Sequence, residues 1–230
     1  MSRRVKRALF VALALLAAAG FAALGVWQVE RRAWKLDLIA RVEGRVHAAP
    51  VSLAGLEADP HAHEYRRVVA TGKFLPDRET LVQALTERGA GFWVLTPLRT
   101  AQGIVLVNRG FVPSERRDPA SRAQPKGPVT VTGLLRVSEP GGQLLRANDP
   151  AQGRWYSRDV AAIARARGIG PVAPYFIDVD AAPNPGGYPI GGLTVVAFRN
   201  SHLVYALTWF GLAALCLGGA VLLLRMREAE

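Results

Sequence analysis

Two long apolar runs, one near each end of the chain, constrain its fold more than any other feature. Residues 8–26 carry neither a charge nor a hydrogen-bonding side chain, and residues 203–224 carry no charge. Each run reaches the ~18–20 apolar residues that a helix needs to span a bilayer. The sequence therefore predicts two transmembrane helices and excludes a wholly soluble protein.

Basic residues flank both runs on the sides that face the chain termini. They are Arg3, Arg4, Lys6, Arg7, Arg225 and Arg227. Short cytoplasmic flanks are enriched in Lys and Arg, whereas long loops cross the membrane largely regardless of charge. We therefore expect cytoplasmic tails at 1–7 and 225–230 and an extracytoplasmic, periplasmic domain at 27–202, between transmembrane helices 8–26 and 203–224.

The first run has a second interpretation as a secretory signal, because basic residues precede it and small residues at 17–19 could form a cleavage site. The apolar run continues past Ala19 to Trp27, an interfacial anchor, which favours a retained helix. No Arg- and Ser-rich amphipathic presequence precedes the run. We therefore expect a bacterial inner membrane rather than a mitochondrial one.

The formal net charge of +11 would by itself suggest a nucleic-acid partner. The chain has no helix-turn-helix or base-stacking pattern, and a basic domain held beside a membrane is instead expected to contact anionic headgroups of the lipid bilayer. We therefore expect no nucleic acid. The single cysteine, Cys216, lies inside the second apolar run and excludes an internal disulfide and a cysteine-based zinc site.

Between the two runs the pattern changes from helical to strand-like. Apolar residues at 34, 38, 39, 42 and 46 predict that the first helix continues outward. Residues 157–167 predict a short helix that is capped by Ser157 and stopped by Gly168. Short apolar runs separated by Gly and Pro predict strands at 65–74, 80–85, 91–98, 104–111, 129–137, 175–179 and 193–198. The expected fold is membrane α plus α+β, with two transmembrane helices flanking one mainly antiparallel-β domain.

Motifs of enzymes are absent from the sequence. There is no GxSxG elbow, Gly-rich phosphate loop or HExxH pair. His61 and His63 lack a third metal ligand nearby in sequence, so a solvated loop is the expected setting. Asp178 and Asp180 alternate along a predicted strand, and without a partner acid or nucleophile we expect both to face solvent.

One face of the second predicted helix carries an unusual set of side chains. His202 begins the helix, and at 100° per residue Tyr205, Ala206, Trp209 and Ala213 fall on the same face. A neutral imidazole is a common axial ligand of haem iron, aromatic rings offer stacking surfaces, and small residues allow a flat partner to approach. An aromatic belt at the membrane surface explains the same residues without a ligand.

The end of the first predicted helix lies at the same membrane level as His202, because the two helices run in opposite directions. Trp27 and Gln28 therefore come close to His202, and Arg31 continues the Trp27 face outward by one turn. A guanidinium at that height could pair with a haem propionate. Contact with a lipid phosphate is the alternative for Arg31.

Six segments together resemble one protein family. They are residues 24–31, 65–72, 92–97, 105–113, 148–156 and 202–210. With these segments the sequence resembles the Surf/Shy (surfeit-locus) family, which assists the assembly of haem-copper cytochrome c oxidase. Phe111 stands where the family usually has Trp, and Ser201 stands where it usually has Asn.

The resemblance implies a membrane-bound factor, not an enzyme, that binds haem a and assists its insertion into the catalytic subunit of cytochrome c oxidase. By position in the family motif, His202 would be the ligand of the haem iron, with Tyr205 and Trp209 as aromatic neighbours. Arg31 as a propionate partner is our own inference. A haem a synthase is a further candidate partner, and haem a would be transiently bound cargo.

Two alternatives stay open from the sequence. The chain could be a haem-free membrane scaffold that stabilises an oxidase subunit, or a membrane enzyme that modifies the porphyrin. The segment from Asn108 to Gly110 follows an apolar strand, where Gly110 would let the backbone turn or pack closely. Maintenance of the fold is the expected role of this segment, and an interface with the oxidase is the alternative.

Overall fold

Long helices near the two ends of the chain precede and follow a β-rich segment in the computed structural model, which describes residues 2–143 and 145–226. Two compact units can be distinguished, one formed by residues 2–41 and 197–226 and the other by Val42–Val196. Arg227, which we assigned to a cytoplasmic flank, lies outside the described residues, as do Met1 and the last three residues of the predicted tail.

Helix α1 spans Arg3–His47 and helix α3 spans His202–Arg225. Both are long and apolar enough to cross a membrane. Large apolar side chains along them are mostly exposed, with Leu16 at 71% and Leu215 at 73%. A core helix of a soluble protein would bury such side chains, so the exposure is consistent with a membrane protein. The predicted outward continuation of the first helix is confirmed, because α1 runs to His47 without a break.

The β unit contains six longer strands, a two-stranded hairpin and one short helix. The strands are β1 Arg67–Phe74, β2 Thr80–Thr86, β3 Gly89–Thr100, β4 Gly103–Pro113, β5 Val129–Val137, β6 Gly142–Gln143, β7 Arg146–Ala147 and β8 Val172–Val179. The helix α2 spans Val160–Arg167 between the hairpin and β8. Short 3-10 turns occur at Pro76–Arg78, Ser114–Arg116, Pro119–Ser121, Pro150–Gln152 and Pro185–Gly187.

The main sheet closes into a barrel-like ring. Its strand order is β1-β5-β8-β4-β3-β2, and an additional pairing of β1 with β3 closes the ring and leaves β2 as an extension of β3. Pairings of the described strands are antiparallel except for β4 with β8, which are parallel. The prediction of a mainly antiparallel sheet or barrel is confirmed.

Strands β4 and β8 are buried on both faces, which explains their continuous apolar sequences. Val105 and Val107 face one core together with Ile177, whereas Leu106 and Phe176 face a second core. The first core also contains residues of β1, β3 and β5, and the second contains Val160, Ile163 and Ala164 of α2. The short helix therefore covers one outer face of the ring.

The position of α2 was predicted correctly, but its cap was not. Asp159 is the N-cap, and its side chain accepts a hydrogen bond from the Ala162 backbone N–H at 3.0 Å. Gly168 ends the helix with a left-handed conformation at φ +59, as expected. The Ser157 hydroxyl instead donates to the carbonyl of Glu139 at 2.7 Å, so a nearer acidic residue takes the capping role.

The predicted closing strand at 193–198 is wrong. Residues 191–200 form neither helix nor strand, although Ile190 makes an isolated bridge to Phe111. The physical reason is that β8 already has β5 on one side and β4 on the other. The segment that follows it therefore finds no free edge beside β8, and its apolar side chains do not pair into the sheet.

Candidate functional site

The two helices of the first unit pack along a regular seam. The less exposed positions of α3 include a series spaced by three and four residues: His202, Ala206, Trp209, Ala213, Cys216 and Ala220. The buried positions of α1 include Ala18, Gly25 and Gln28. Spacing by three and four on antiparallel helices is typical of coiled-coil-like packing, and small residues let the helices approach closely.

A hydrogen bond joins the two helices at the start of α3. Nδ1 of His202 lies 2.7 Å from Oε1 of Gln28, within hydrogen-bond distance. Gln28 is 9% exposed and His202 is half-buried. The expectation that the end of the first apolar run reaches the level of His202 is confirmed for Gln28. Within the described part of the chain, Nε2 of His202 makes no hydrogen bond.

The aromatic residues of the predicted face separate in the structure. The Trp209 ring stacks on Phe21 of α1, with centroids 5.6 Å apart and planes at 20°. Tyr205 is 55% exposed and turns away from the seam. Ala206 and Ala213 are buried, so the small residues that could admit a flat partner are packed in the helix seam instead.

A second close approach lies one turn further along the seam. An added Cβ at Gly25 would stand 2.6 Å from the Phe210 ring, which is too close for any side chain without a shift of that ring. A side chain at this position would therefore have to displace the Phe210 ring. This packing brings His202 to Gln28 and Trp209 to Phe21, whereas Tyr205 is left on the exposed flank of α3.

Arg31 lies on α1 beyond Gln28 and is exposed. Its guanidinium carbon stands 4.0 Å from the centroid of the Trp34 ring, a cation–π distance. Among the described residues, no carboxylate forms an ion pair with Arg31. The stacking holds the guanidinium against a ring while leaving its N–H groups available to an anionic group.

Together these residues form the candidate site, defined here as His202, Gln28, Trp209, Tyr205 and Arg31. The site offers an imidazole whose ring is held on one side, aromatic side chains on the same helix, and a cation on the neighbouring helix. In this arrangement the imidazole can ligate a metal ion at the centre of a planar macrocycle, and the guanidinium can pair with an acidic substituent of that macrocycle. It offers no nucleophile with an adjacent base.

The segment from Asn108 to Gly110 lies inside the β unit. Asn108 and Arg109 are each 3% exposed, and burial lowers the pKa of Arg109 although the Glu79 carboxylate opposes this. An added Cβ at Gly110, where φ is +125, would stand 2.2 Å from the carbonyl oxygen of Ile190. This packing supports the expected role in maintaining the fold, because a buried segment presents little surface to a partner.

The expectation that Asp178 faces solvent is wrong. Its residue is 2% exposed, and its carboxylate accepts from Asn108 Nδ2 at 2.8 Å, Arg158 Nη1 at 3.1 Å and Arg136 Nη1 at 3.3 Å. The paired Asp180 is less enclosed and binds Arg67. The burial of Asp178 follows from the β4–β8 pairing, which brings Asn108 beside it.

Two titratable groups of this network have shifted pKa values. Burial opposes the ionised form of Arg158, but Asp178 and Glu139 outweigh burial and raise the pKa of its guanidinium. Burial also opposes ionisation of Glu139, while hydrogen bonds and attraction from Arg158 lower its pKa overall. The network is a structural ion cluster, since every charged group in it has an opposite partner within the β unit.

His61 and His63 lie in turns of the β unit, as expected for a loop. Among residues 2–143 and 145–226, no group of three or more His, Cys, Asp or Glu side chains could hold a metal ion.

Comparison with known proteins gives a consistent set of similarities. The SURF1 family model matches residues 15–214. Surfeit locus protein 1 of Rattus norvegicus is 37% identical over 210 residues, which cover 83% of this chain and 68% of the rat protein. The Homo sapiens protein of the same name is 38% identical over 213 residues, covering 83% of this chain and 69% of its own length. A SURF1-like protein of Monosiga brevicollis is 38% identical over 218 residues, covering 88% and 82%.

Proposed function

Because the chain belongs to the SURF1 family, whose members are known in general as cytochrome c oxidase assembly factors, we propose that it binds haem a and assists its insertion into the catalytic subunit. His202 is the proposed ligand of the haem iron. The role is that of a chaperone rather than an enzyme, since the cofactor supplies the chemistry and the protein supplies ligation and orientation.

The observation that carries the haem proposal is the setting of His202. Its ring is half-buried at the first turn of α3 and held through Nδ1, while Nε2 has no partner among the described residues. An imidazole nitrogen that is oriented but unused suits a ligand site for iron. Arg31 is the proposed propionate partner, because its guanidinium is exposed one turn beyond Gln28.

The proposed location is the bacterial inner membrane, with both termini in the cytoplasm and the β unit in the periplasm. The two candidate spans and the basic residues Arg3, Arg4, Lys6, Arg7 and Arg225 support this orientation. The site at the start of α3 would then lie near the periplasmic surface of the inner membrane. The lipid bilayer, a haem a synthase and the oxidase subunit can all reach it there.

A chaperone must also release its cargo. Residence time is set mainly by the dissociation rate, so an optimal set of contacts would trap the haem. The proposed site offers the haem one histidine ligand. Tyr205 lies on an exposed flank and Trp209 is already stacked on Phe21, so the set of contacts between protein and haem is incomplete. The incomplete set is consistent with transient binding.

A haem-free scaffold is the second candidate function, and one observation favours it. Ala206, Trp209 and Ala213 are used in packing against α1, so much of the predicted haem face serves the helix pair. Under this alternative the His202 hydrogen bond would only fasten the two helices, and the protein would stabilise an oxidase subunit without carrying haem.

Absorption spectra of the purified chain from cells that make haem a distinguish the two candidates. The comparison needs the wild type, His202→Ala, and His63→Ala as a matched control that removes a histidine from a turn outside the site. We expect a haem a spectrum in the wild type and the control and its loss in His202→Ala. Haem a retained by His202→Ala would refute the ligand, and no haem in any of the three would favour the scaffold.

A further inference from the structure

We propose that Gln28 is a positioning residue for His202: it holds the imidazole as the tautomer protonated at Nδ1 and so presents Nε2 as the ligating nitrogen. The ligation of iron by Nε2 rests on the proposed function, but the tautomer itself is a property of the haem-free protein. The juxtaposition that carries it is the 2.7 Å contact between Nδ1 of His202 and Oε1 of Gln28.

The chemistry of the two groups determines the proton position. An amide oxygen can only accept a hydrogen bond, so the imidazole nitrogen that faces it must carry the proton. A neutral imidazole has one protonated nitrogen, and Nε2 therefore keeps its lone pair. Free histidine in water prefers the opposite tautomer, in which Nε2 carries the proton. In that tautomer Nε2 cannot ligate iron unless it first loses the proton.

The surroundings fix Gln28 in this role. Its side chain is 9% exposed in the seam between α1 and α3, where it has little freedom to turn toward water. No other hydrogen bond to the His202 ring comes from the described residues, and the preceding Ser201 makes no side-chain cap at this helix start. The ring orientation therefore depends on the amide of Gln28.

Groups that orient a metal-bound histidine through its second nitrogen also make the ligand more basic. Removing such a partner commonly lowers metal affinity by about 10- to 100-fold. We therefore expect loss of the Gln28 acceptor to raise the dissociation rate of haem a by about 10-fold or more while leaving His202 in place. A carboxylate in place of the amide would keep the acceptor and strengthen the effect on the iron.

The test uses the full chain in detergent micelles with ¹⁵N-labelled histidine. The chain has four histidines, and His202→Ala identifies the signals of His202. Gln28→Met removes the acceptor at similar volume, Gln28→Glu retains it, and Thr208→Val is a matched control. Thr208 is a polar residue of α3 whose hydroxyl donates to the Val204 carbonyl rather than to His202.

The first readout is the ¹⁵N shift of each ring nitrogen in the neutral, haem-free protein. We expect a protonated-type shift at Nδ1 and a lone-pair-type shift at Nε2 in the wild type, Gln28→Glu and Thr208→Val, and loss of this pattern in Gln28→Met. A wild-type ring protonated at Nε2, or a pattern unchanged in Gln28→Met, would overturn the proposal.

The second readout is the haem a dissociation rate together with the iron–histidine stretching frequency by resonance Raman spectroscopy. Faster dissociation and a lower frequency in Gln28→Met, together with a frequency above the wild-type value in Gln28→Glu, would support positioning. A purely structural role would not shift the frequency in opposite directions in these two variants. If the tautomer is as proposed but no variant binds haem a, the proposed function fails while the tautomer assignment stands.

Discussion

Removal of the Asp178 carboxylate tests the buried ion cluster of the β unit. In Asp178→Ala, the Arg158 guanidinium loses two bonds at 3.1 and 3.2 Å, and Asn108 and Arg136 lose one each. The Asp178 side chain is 1% exposed and that of Arg158 is 14% exposed, so water can replace few of these bonds. Of its two carboxylate partners among the described residues, Arg158 keeps Glu139, whose side chain is 36% exposed.

The expected cost follows from the burial of the pair. Breaking a buried ion pair by removing one partner typically costs about 3–5 kcal/mol, because the remaining charge stays desolvated. Asp180→Ala is the control, since its pair with Arg67 is about one-third exposed and such pairs contribute about 0–1 kcal/mol. The two aspartates are two residues apart on the same stretch of chain, but only one of them is enclosed.

Thermal unfolding of the full chain in detergent, followed by near-ultraviolet circular dichroism, measures the difference. We expect the midpoint of Asp178→Ala to fall by about 6–20 °C, taking about 2–4 °C per kcal/mol for a chain of this size. The control is expected to shift by only a few degrees. Equal shifts in the two variants would refute the conclusion that the Asp178 cluster is a buried, stability-determining network.

Three further predictions concern the β unit. The lowered pKa of Glu139 means that its contribution to stability is complete above the unfolded value of 4.5 and is lost as pH falls through the folded pKa. Glu139→Gln should therefore flatten the acid side of a plot of unfolding midpoint against pH, and an unchanged slope would contradict the assignment. Gly110→Ala should cost at least about 2 kcal/mol more than Gly103→Ala in chemical denaturation, because both have φ +125 but only Gly110 faces a backbone atom, the Ile190 carbonyl oxygen. Asp159→Ala should cost about 1 kcal/mol and speed amide exchange in the first turn of α2, with recovery in Asp159→Ser; no change in exchange would show that the cap contributes nothing.

Features that depend on local pattern were predictable from the sequence. The two apolar runs correctly predicted both long helices, because a helix long enough to span a bilayer can be recognised without knowing its long-range contacts. Strand β5 was predicted with the bounds Val129–Val137 that the structure has, and other strands of the ring differ by a few residues at their ends. Gly168 was correctly identified as a helix stop from its residue type alone.

Features that depend on long-range pairing were not predictable. Asp178 meets Arg158, Arg136 and Asn108 across sequence separations of 20, 42 and 70 residues, so nothing near it in sequence indicated its burial. The error at 193–198 has the same origin, since an apolar run forms a strand only where a sheet edge is free. The choice of Asp159 over Ser157 as cap depended on the contact of Ser157 with Glu139.

The candidate site also has features that were predictable from local pattern and features that depend on long-range packing. Helical periodicity placed His202, Ala206 and Trp209 on one face, and opposite helix directions placed Gln28 at the level of His202, as the structure has them. Periodicity could not show that Tyr205, at the margin of that face, is exposed, because the boundary depends on how closely α1 packs. It also could not single out Gln28 as the hydrogen-bond partner.

The haem a content of the oxidase catalytic subunit tests the central claim most directly. Oxidase would be isolated from cells that carry the wild-type chain, His202→Ala or His63→Ala at equal abundance in the membrane, and haem a would be measured per catalytic subunit. The account predicts full haem a with the wild type and His63→Ala and a marked loss with His202→Ala. Full haem a in the oxidase from His202→Ala cells would contradict it.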